Sequence, residues 1–158
     1  SRLPAHATSL GRVLLAALPE AGLDALLAEA APLPAYTERT VTDPAELARR
    51  IAQVRRDGWC ILDQELELGL RSIAVPLRGP GGKVVAALNA GLQASRFTLE
   101  AMRQQVLPEM LQAAAQISTA LGAPTTAPAA PAQAARRAPP PAAAARRAAA
   151  APARPRRR

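Results

Sequence analysis

The sequence predicts an α+β domain, with helices packed on one side of a mainly antiparallel sheet, followed by a basic tail without a fold of its own. Three observations predict it. Apolar residues recur at helical spacing up to residue 57, alternate between residues 58 and 91, and return to helical spacing after Thr98. Beyond Gly122 large apolar side chains cease.

In the first helix Leu10, Val13, Leu14, Ala17 and Leu18 fall at i, i+3, i+4, i+7 and i+8, a half-buried stripe with Thr8 or Ser9 as N-cap. Pro19 ends this helix and begins a second, in which Leu23, Leu26, Leu27 and Ala30 keep the spacing until Pro32 and Pro34, so a helical hairpin is expected. A third helix starts at Thr42-Asp43-Pro44-Ala45-Glu46. Asp43 is its N-cap, Pro44 takes the first position, where a missing amide costs nothing, and Glu46 stands three residues after the cap. Leu47, Ile51 and Val54 form its inner face, and Asp57-Gly58 ends it.

"GWCILDQEL" (58–66) has the Trp and Ile content of a strand. Residues 70–78 and 83–91 read as an antiparallel hairpin, joined by Gly79-Pro80-Gly81-Gly82, whose glycines can take positive φ. Alternation puts Ser72, Ala74 and Pro76 on one face of the first strand and Arg71, Ile73, Val75 and Leu77 on the other. On the second strand Val85, Ala87, Asn89 and Gly91 oppose Val84, Ala86, Leu88 and Ala90. Thr98 caps a last helix carrying Met102, Val106, Met110, Ala114, Ile117 and Leu121, kinked at Pro108 and stopped at Gly122.

The length suits one domain with a real core. The formal charge of +8 suggests a nucleic-acid or membrane partner until its location is considered. Residues 1–122 carry equal numbers of basic and acidic side chains, so the whole excess sits in residues 123–158, a tail of Ala, Pro and Arg with one Gln and two Thr. That tail cannot bury enough apolar surface to offset the entropy of folding and is expected to be disordered. Its Arg136-Arg137, Arg146-Arg147 and Arg156-Arg157-Arg158 could touch phosphates in a salt-sensitive, sequence-blind way, although a solvated extension explains them more simply.

A single cysteine, Cys60, excludes an internal disulfide and points to a reducing, cytoplasmic compartment. No apolar run is long enough for a membrane span, and no secretion leader is present. The opening Ser1-Arg2-Leu3-Pro4, without methionine, reads as the start of a fragment.

Asp63, Glu65 and Glu67 alternate, which on a strand would space carboxylates about 6 to 7 Å apart on one face, suitable for a divalent metal or an acid/base pair. A solvated strand edge is the stronger reading. One histidine and one cysteine cannot build the usual transition-metal shells, so no metal and no cofactor are assigned. His6, Ser9 and Asp63 supply triad residue types without a nucleophile elbow, and the glycines at 79–82 sit in a hairpin instead of leading into a helix, so the chain is expected not to be an enzyme. One Trp, one Tyr and one Phe are too few for a base-stacking platform. Ser72 and Asn89 interrupt apolar runs. A small polar ligand would satisfy them, as would nearby backbone.

"LPAHATSLGRVLLAALP" (3–19), "TVTDPAELARRIAQVRRDGW" (40–59), "DQELELGLRSIAVPLRGPGGKVVAALNAG" (63–91) and "ISTALG" (117–122) together resemble the effector-binding domain of IclR-family bacterial transcriptional regulators. The wording "GLRSIAVP" is similar to the branch governing protocatechuate and 4-hydroxybenzoate catabolism in the β-ketoadipate pathway. The resemblance implies a GAF-like domain over residues 1–122, with a curved antiparallel sheet and packed helices. It also implies a pocket for a small organic acid between sheet and loops. By position the pocket residues correspond to Thr8, Ser9 and Leu10 at the loop-to-helix turn, Leu62 and Asp63 on the acidic strand, and Ser72, Asn89 and Gly91 on the paired strands. Several relatives have Cys at the place of Ser72 and Ser at those of Asn89 and Gly91, which implies a different ligand class.

Ser72 and Asn89 can bond a carboxylate or phenol oxygen, and free amides at the Ser9 helix start favour an anion. A cation for the acid could come from His6 or Arg12, with Arg71 ranked behind Ser72 and Asn89 because it points to the other face. The family's winged helix-turn-helix, which reads the operator, is absent from these residues, and the tail also departs from the family pattern. The resemblance therefore implies a ligand-sensing domain that pairs as a homodimer or tetramer and meets operator DNA only through a winged-helix domain. A nucleic-acid-associated protein acting through its arginine tail is the alternative.

Overall fold

In the computed structural model, which describes residues 2–124, the main elements are α1 (Ser9–Ala16), α2 (Glu20–Ala30), α3 (Pro44–Asp57), β1 (Cys60–Asp63), β2 (Leu70–Arg78), β3 (Val84–Gln93), α4 (Leu99–Ala101) and α5 (Leu107–Ala120). The three strands form one antiparallel sheet with β2 in the middle. Ser72 stands opposite Leu62 on one side and Gly91 on the other, while Ala74 stands opposite Cys60 and Asn89. These residues therefore share one face.

Both faces of the sheet are covered by helices, which corrects the expectation of helices on one side. Ile73 and Val75 pack against Met102, Leu107, Met110 and Ala114 of the C-terminal helix. Ala74, Cys60 and Leu62 pack on the opposite face against Val13 of α1 and Val54 of α3. The reason lies in β2 itself, where Ile73, Ala74 and Val75 are buried in succession, a continuous apolar run of the kind that needs cover on both sides.

α1 and α2 do not form a simple hairpin. Leu15, Leu23 and Leu27 instead gather around Leu47 and Ile51 of α3, with Leu33 closing the cluster. Because α1 is wedged between this cluster and the sheet, Val13 faces the sheet, Leu15 faces α3, and Leu14 is left exposed against the predicted stripe. Gly11 lies directly against the short 3-10 turn Ala5–Ala7, so that a Cβ there would overlap the backbone of Ala5. α3 begins as expected. Asp43 accepts from the amides of Ala45 and Glu46 at 3.3 and 3.0 Å, whereas the Glu46 side chain pairs with Arg49 and Arg50 instead of reaching back.

β1 is shorter than the predicted strand and stops at Asp63, where Gln64 takes φ 62°. The chain then forms a loop over residues 64–69, held by the amide of Gly69 on Gln64 Oε1 at 2.8 Å and by Thr37 Oγ1 on the carbonyl of Gln64 at 2.8 Å. The hairpin between β2 and β3 turns as read, with Gly81 and Gly82 both at positive φ.

Pro108 acts on the last helix differently from a simple kink. It lacks the amide that would serve a carbonyl in the preceding turn, and the segment Met102–Val106 widens to π-helical bonding, with the Leu107 amide on the carbonyl of Met102. The extra residue rotates the stripe, so that Leu107, Met110, Ala114 and Ser118 face inward while Ile117 and Leu121 are exposed. Ser118 Oγ accepts from the amide of Arg78 at 2.9 Å, docking the helix on the end of β2. Gly122, at φ 83°, closes a Schellman motif: its amide bonds Thr119 and that of Ala123 bonds Ser118. From residue 125 the tail expected to be disordered, with its arginine pairs, lies outside the described residues. Among the described residues no helix is long and apolar enough to cross a membrane.

Candidate functional site

The face of the sheet shared by Leu62, Ser72 and Gly91 meets the start of α1, and the two do not close against each other. Between them lies a cavity of about 140 Å³ lined by Leu3, Ala7, Thr8, Ser9, Leu10, Leu62, Glu65, Leu66, Leu70, Ser72, Asn89 and Gly91. A void on the order of 150 Å³ accepts a benzene ring. The inner wall is Ala7, Thr8, Ser9 and Leu62, all buried, and exposed Asn89, Gly91 and Leu3 stand at the mouth. Gly91 lies opposite Ser72, where any side chain would fill space above the sheet.

The helix start supplies the donors. Thr8 caps α1, its Oγ1 accepting from the amide of Gly11 at 3.2 Å and its carbonyl from the amide of Arg12 at 3.0 Å. The amides of Ser9 and Leu10 make no hydrogen bond among the described residues, as the first turn of a helix requires. Ser9 is 1% exposed, and its Oγ is buried without a hydrogen-bond partner among the described residues. Three donors without an acceptor among the described residues thus sit on Ser9 and Leu10, two residues that line the cavity at the positive end of the helix dipole.

Beside them Arg12, 2% exposed, is fixed by its Nε on the carbonyl of His6 at 2.8 Å and by an ion pair from Nη2 to Glu65 Oε2. The same carboxylate oxygen accepts from the amide of Val41 at 3.3 Å. His6 Nε2 lies 2.8 Å from the carbonyl of Pro34. Both side chains considered as a cation for the acid are therefore engaged, Arg12 in tying α1 to the 64–69 loop and His6 in tying the α1 entry to Pro34.

Of the residues assigned from the resemblance, Thr8, Ser9, Leu10, Leu62, Ser72, Asn89 and Gly91 all line this cavity, and Asp63 does not. Opposite Arg71 in the strand register, Asp63 turns away from Leu62. It accepts from Arg71 Nε and Arg39 Nη1, each at 2.6 Å. The hydrogen bond from Arg71 holds its carboxyl below the ordinary value, outweighing the opposite push of burial. Arg71 also bonds the carbonyls of Ala94 and Phe97, so it stays on the far face as alternation predicts. Glu65, which the alternate spacing places on a solvated strand edge, instead lines the cavity, because positive φ at Gln64 breaks the alternation the row of carboxylates needed. Glu67 stays exposed in the loop. Cys60, under the sheet, has its thiol pushed up to about 12 by burial and takes no part.

Comparison with known proteins identifies the family and agrees with the fold. The family described as "Bacterial transcriptional regulator IclR C-terminal" matches residues 1–119. The chain is 50% identical over 112 residues to the Pca regulon regulatory protein of Pseudomonas putida, an alignment covering 71% of this chain and 38% of that protein. Among solved structures, it is similar to the inducer-binding domain of PobR from Acinetobacter, a double mutant in complex with 3-hydroxybenzoic acid, at TM-score 0.71 and 36% identity, covering 75% of this chain and 67% of that one. It is also similar to the C-terminal domain of the Escherichia coli transcriptional regulator KdgR, at TM-score 0.70 and 34% identity, covering 77% and 73%. The chain thus spans well under half the length of the Pseudomonas relative. A mixed helix-and-sheet domain with its cavity at the start of α1, matched across residues 1–119, belongs to the family of IclR bacterial transcriptional regulators through their C-terminal domain.

Proposed function

We propose that this domain senses a small organic acid, aromatic in class, on behalf of a transcriptional regulator of aromatic-acid catabolism. The observation that carries the reading is the buried, unpartnered Ser9 Oγ beside the free amides of Ser9 and Leu10. A buried polar group without a partner costs about 1 to 3 kcal/mol, a cost a bound acceptor removes. A carboxylate is the acceptor that suits three donors at a helix N-terminus. The rest of the wall, Leu62, Leu66, Leu70 and Leu10, is apolar and suits a ring. The names of the relatives, a Pca regulon regulator and an inducer-binding domain solved with 3-hydroxybenzoic acid, support the same class.

In the intact regulator the domain works in the cytoplasm as a homodimer or tetramer, and operator DNA is read by a winged-helix domain. Ligand binding shifts the DNA-bound assembly by a coupling of about 1 to 3 kcal/mol. Calorimetry of the chain against protocatechuate, 4-hydroxybenzoate, β-ketoadipate and pyruvate tests the reading. At least one acid binds, and Ser9→Ala weakens it about tenfold. A folded protein that binds none of them refutes it.

A further inference from the structure

Glu65 is 9% exposed, lines the cavity and has its two carboxylate oxygens in different situations. Oε2 is engaged by Arg12 and by the amide of Val41. Among the described residues Oε1 accepts no hydrogen bond. The residue cannot easily swing away, because its carbonyl is held by Thr40 Oγ1 at 2.6 Å and its partner Arg12 is fixed on His6. The cavity therefore has two unlike polar regions, donors at Ser9 and Leu10 and an acceptor at Glu65.

We propose, building on the acid-sensing reading, that Glu65 sets the specificity of the cavity, selecting an acid that also carries a hydroxyl and taking the hydroxyl proton in a hydrogen bond to Oε1. A carboxylate oxygen can only accept, so the group set against it must donate. An unsubstituted aromatic acid leaves Oε1 unpaired. A dicarboxylate places a second negative charge against it, a like-charge contact in a site of low dielectric. A hydroxy acid satisfies both ends at once, its carboxylate on the α1 start and its hydroxyl on Glu65.

Calorimetry on the full chain with 3- and 4-hydroxybenzoate, the corresponding fluorobenzoates and adipate tests this. Fluorine is close to hydroxyl in size and cannot donate. At least one hydroxybenzoate binds roughly tenfold or more tightly than its fluoro counterpart, as expected for a hydrogen bond to a charged group, and adipate binds more weakly than either. In Glu65→Gln the amide oxygen stays with Arg12 and Val41 and turns the amide NH2 to the cavity, where a hydroxyl can only accept from it, so the charge-assisted preference for hydroxyl over fluorine falls to that of a neutral hydrogen bond, roughly tenfold at most. Should Glu65→Gln fail to fold, the ligand series on the unaltered chain decides. Equal affinity within each hydroxy/fluoro pair, or tighter binding of adipate, overturns the proposal while leaving the acid-sensing reading standing. A hydroxyl preference that is undiminished in folded Glu65→Gln overturns the role of Glu65. Binding of none of these acids by the folded chain overturns the acid-sensing reading and the inference with it.

Discussion

Replacing Glu65 with alanine tests the idea that one buried ion pair holds the cavity wall together. The change removes the ion-pair partner of Arg12 and an acceptor of the Val41 amide, leaving a guanidinium that is 2% exposed with the His6 carbonyl as its remaining partner. Stranding a buried charge in this way costs about 3 to 5 kcal/mol, a large part of the roughly 5 to 15 kcal/mol that stabilises an ordinary domain. Removing both charges is a different experiment. In the double variant Arg12→Met, Glu65→Leu no charge is stranded, and hydrophobic replacement of a buried pair is often neutral or stabilising. The Val41 amide still loses an acceptor and the His6 carbonyl a donor, about 1 kcal/mol each. The double variant should therefore fall roughly 2 kcal/mol below the parent, and well above Glu65→Ala. Urea unfolding followed by the fluorescence of Trp59, the single tryptophan, gives both values from the midpoint shift at constant m. A loss below about 1 kcal/mol for Glu65→Ala, or a double variant less stable than it, refutes the argument.

Four further outcomes follow from other parts of the structure. Gly11→Ala forces a Cβ onto the backbone of Ala5, so the melting temperature should fall by the equivalent of about 1 to 3 kcal/mol, whereas Gly22→Ala in α2, with open space around it, should raise it slightly. Ser72→Leu should fill the cavity beside Gly91 and abolish acid binding while circular dichroism stays unchanged; retained affinity would remove Ser72 from the site. The folded-state value of Asp63 is depressed, so its contribution to stability is complete above the unfolded carboxylate value of about 3.8 and is lost as pH falls through the lower folded value. The stability gap between the parent and Asp63→Asn should therefore be constant near neutral pH and shrink in that acid range, as acid-titrated melts would show. Cys60, buried with its thiol pushed up to about 12, should resist iodoacetamide at pH 8 until the chain is unfolded, and rapid labelling of native protein would contradict its placement.

The elements legible in the sequence were those whose signal is local. The caps at Thr8, Asp43 and Thr98 and the stop at Gly122 stand where a side-chain acceptor or a positive φ is needed, and three or four residues suffice to recognise them. Non-local demands account for the differences. The phase of α1 could not be read from its own stripe, because Val13 answers to the sheet and Leu15 to α3, two surfaces brought to it by later parts of the chain. The helix after Thr98 reads as one period of four only until Pro108 inserts an extra residue, and the stripe then moves from Ile117 to Ser118.

The site divides along the same line. Its apolar and backbone parts follow from strand alternation and helix starts, so Leu62, Ser72, Asn89 and Gly91 fall together once the register is known. The acid at its wall depends on one backbone angle. With Gln64 extended, Glu65 would continue the row begun at Asp63 and point with it away from the cavity; at φ 62° the chain turns and Glu65 is carried under the α1 start. A clue lay elsewhere in the sequence: Arg12 sits among Leu10, Gly11, Val13 and Leu14, where a lone charge on a packed helix demands a buried acid from another segment. A lone buried charge predicts its counterpart more reliably than a regular spacing predicts a shared role, because desolvation must be compensated wherever the chain runs, whereas spacing holds only while the backbone stays extended.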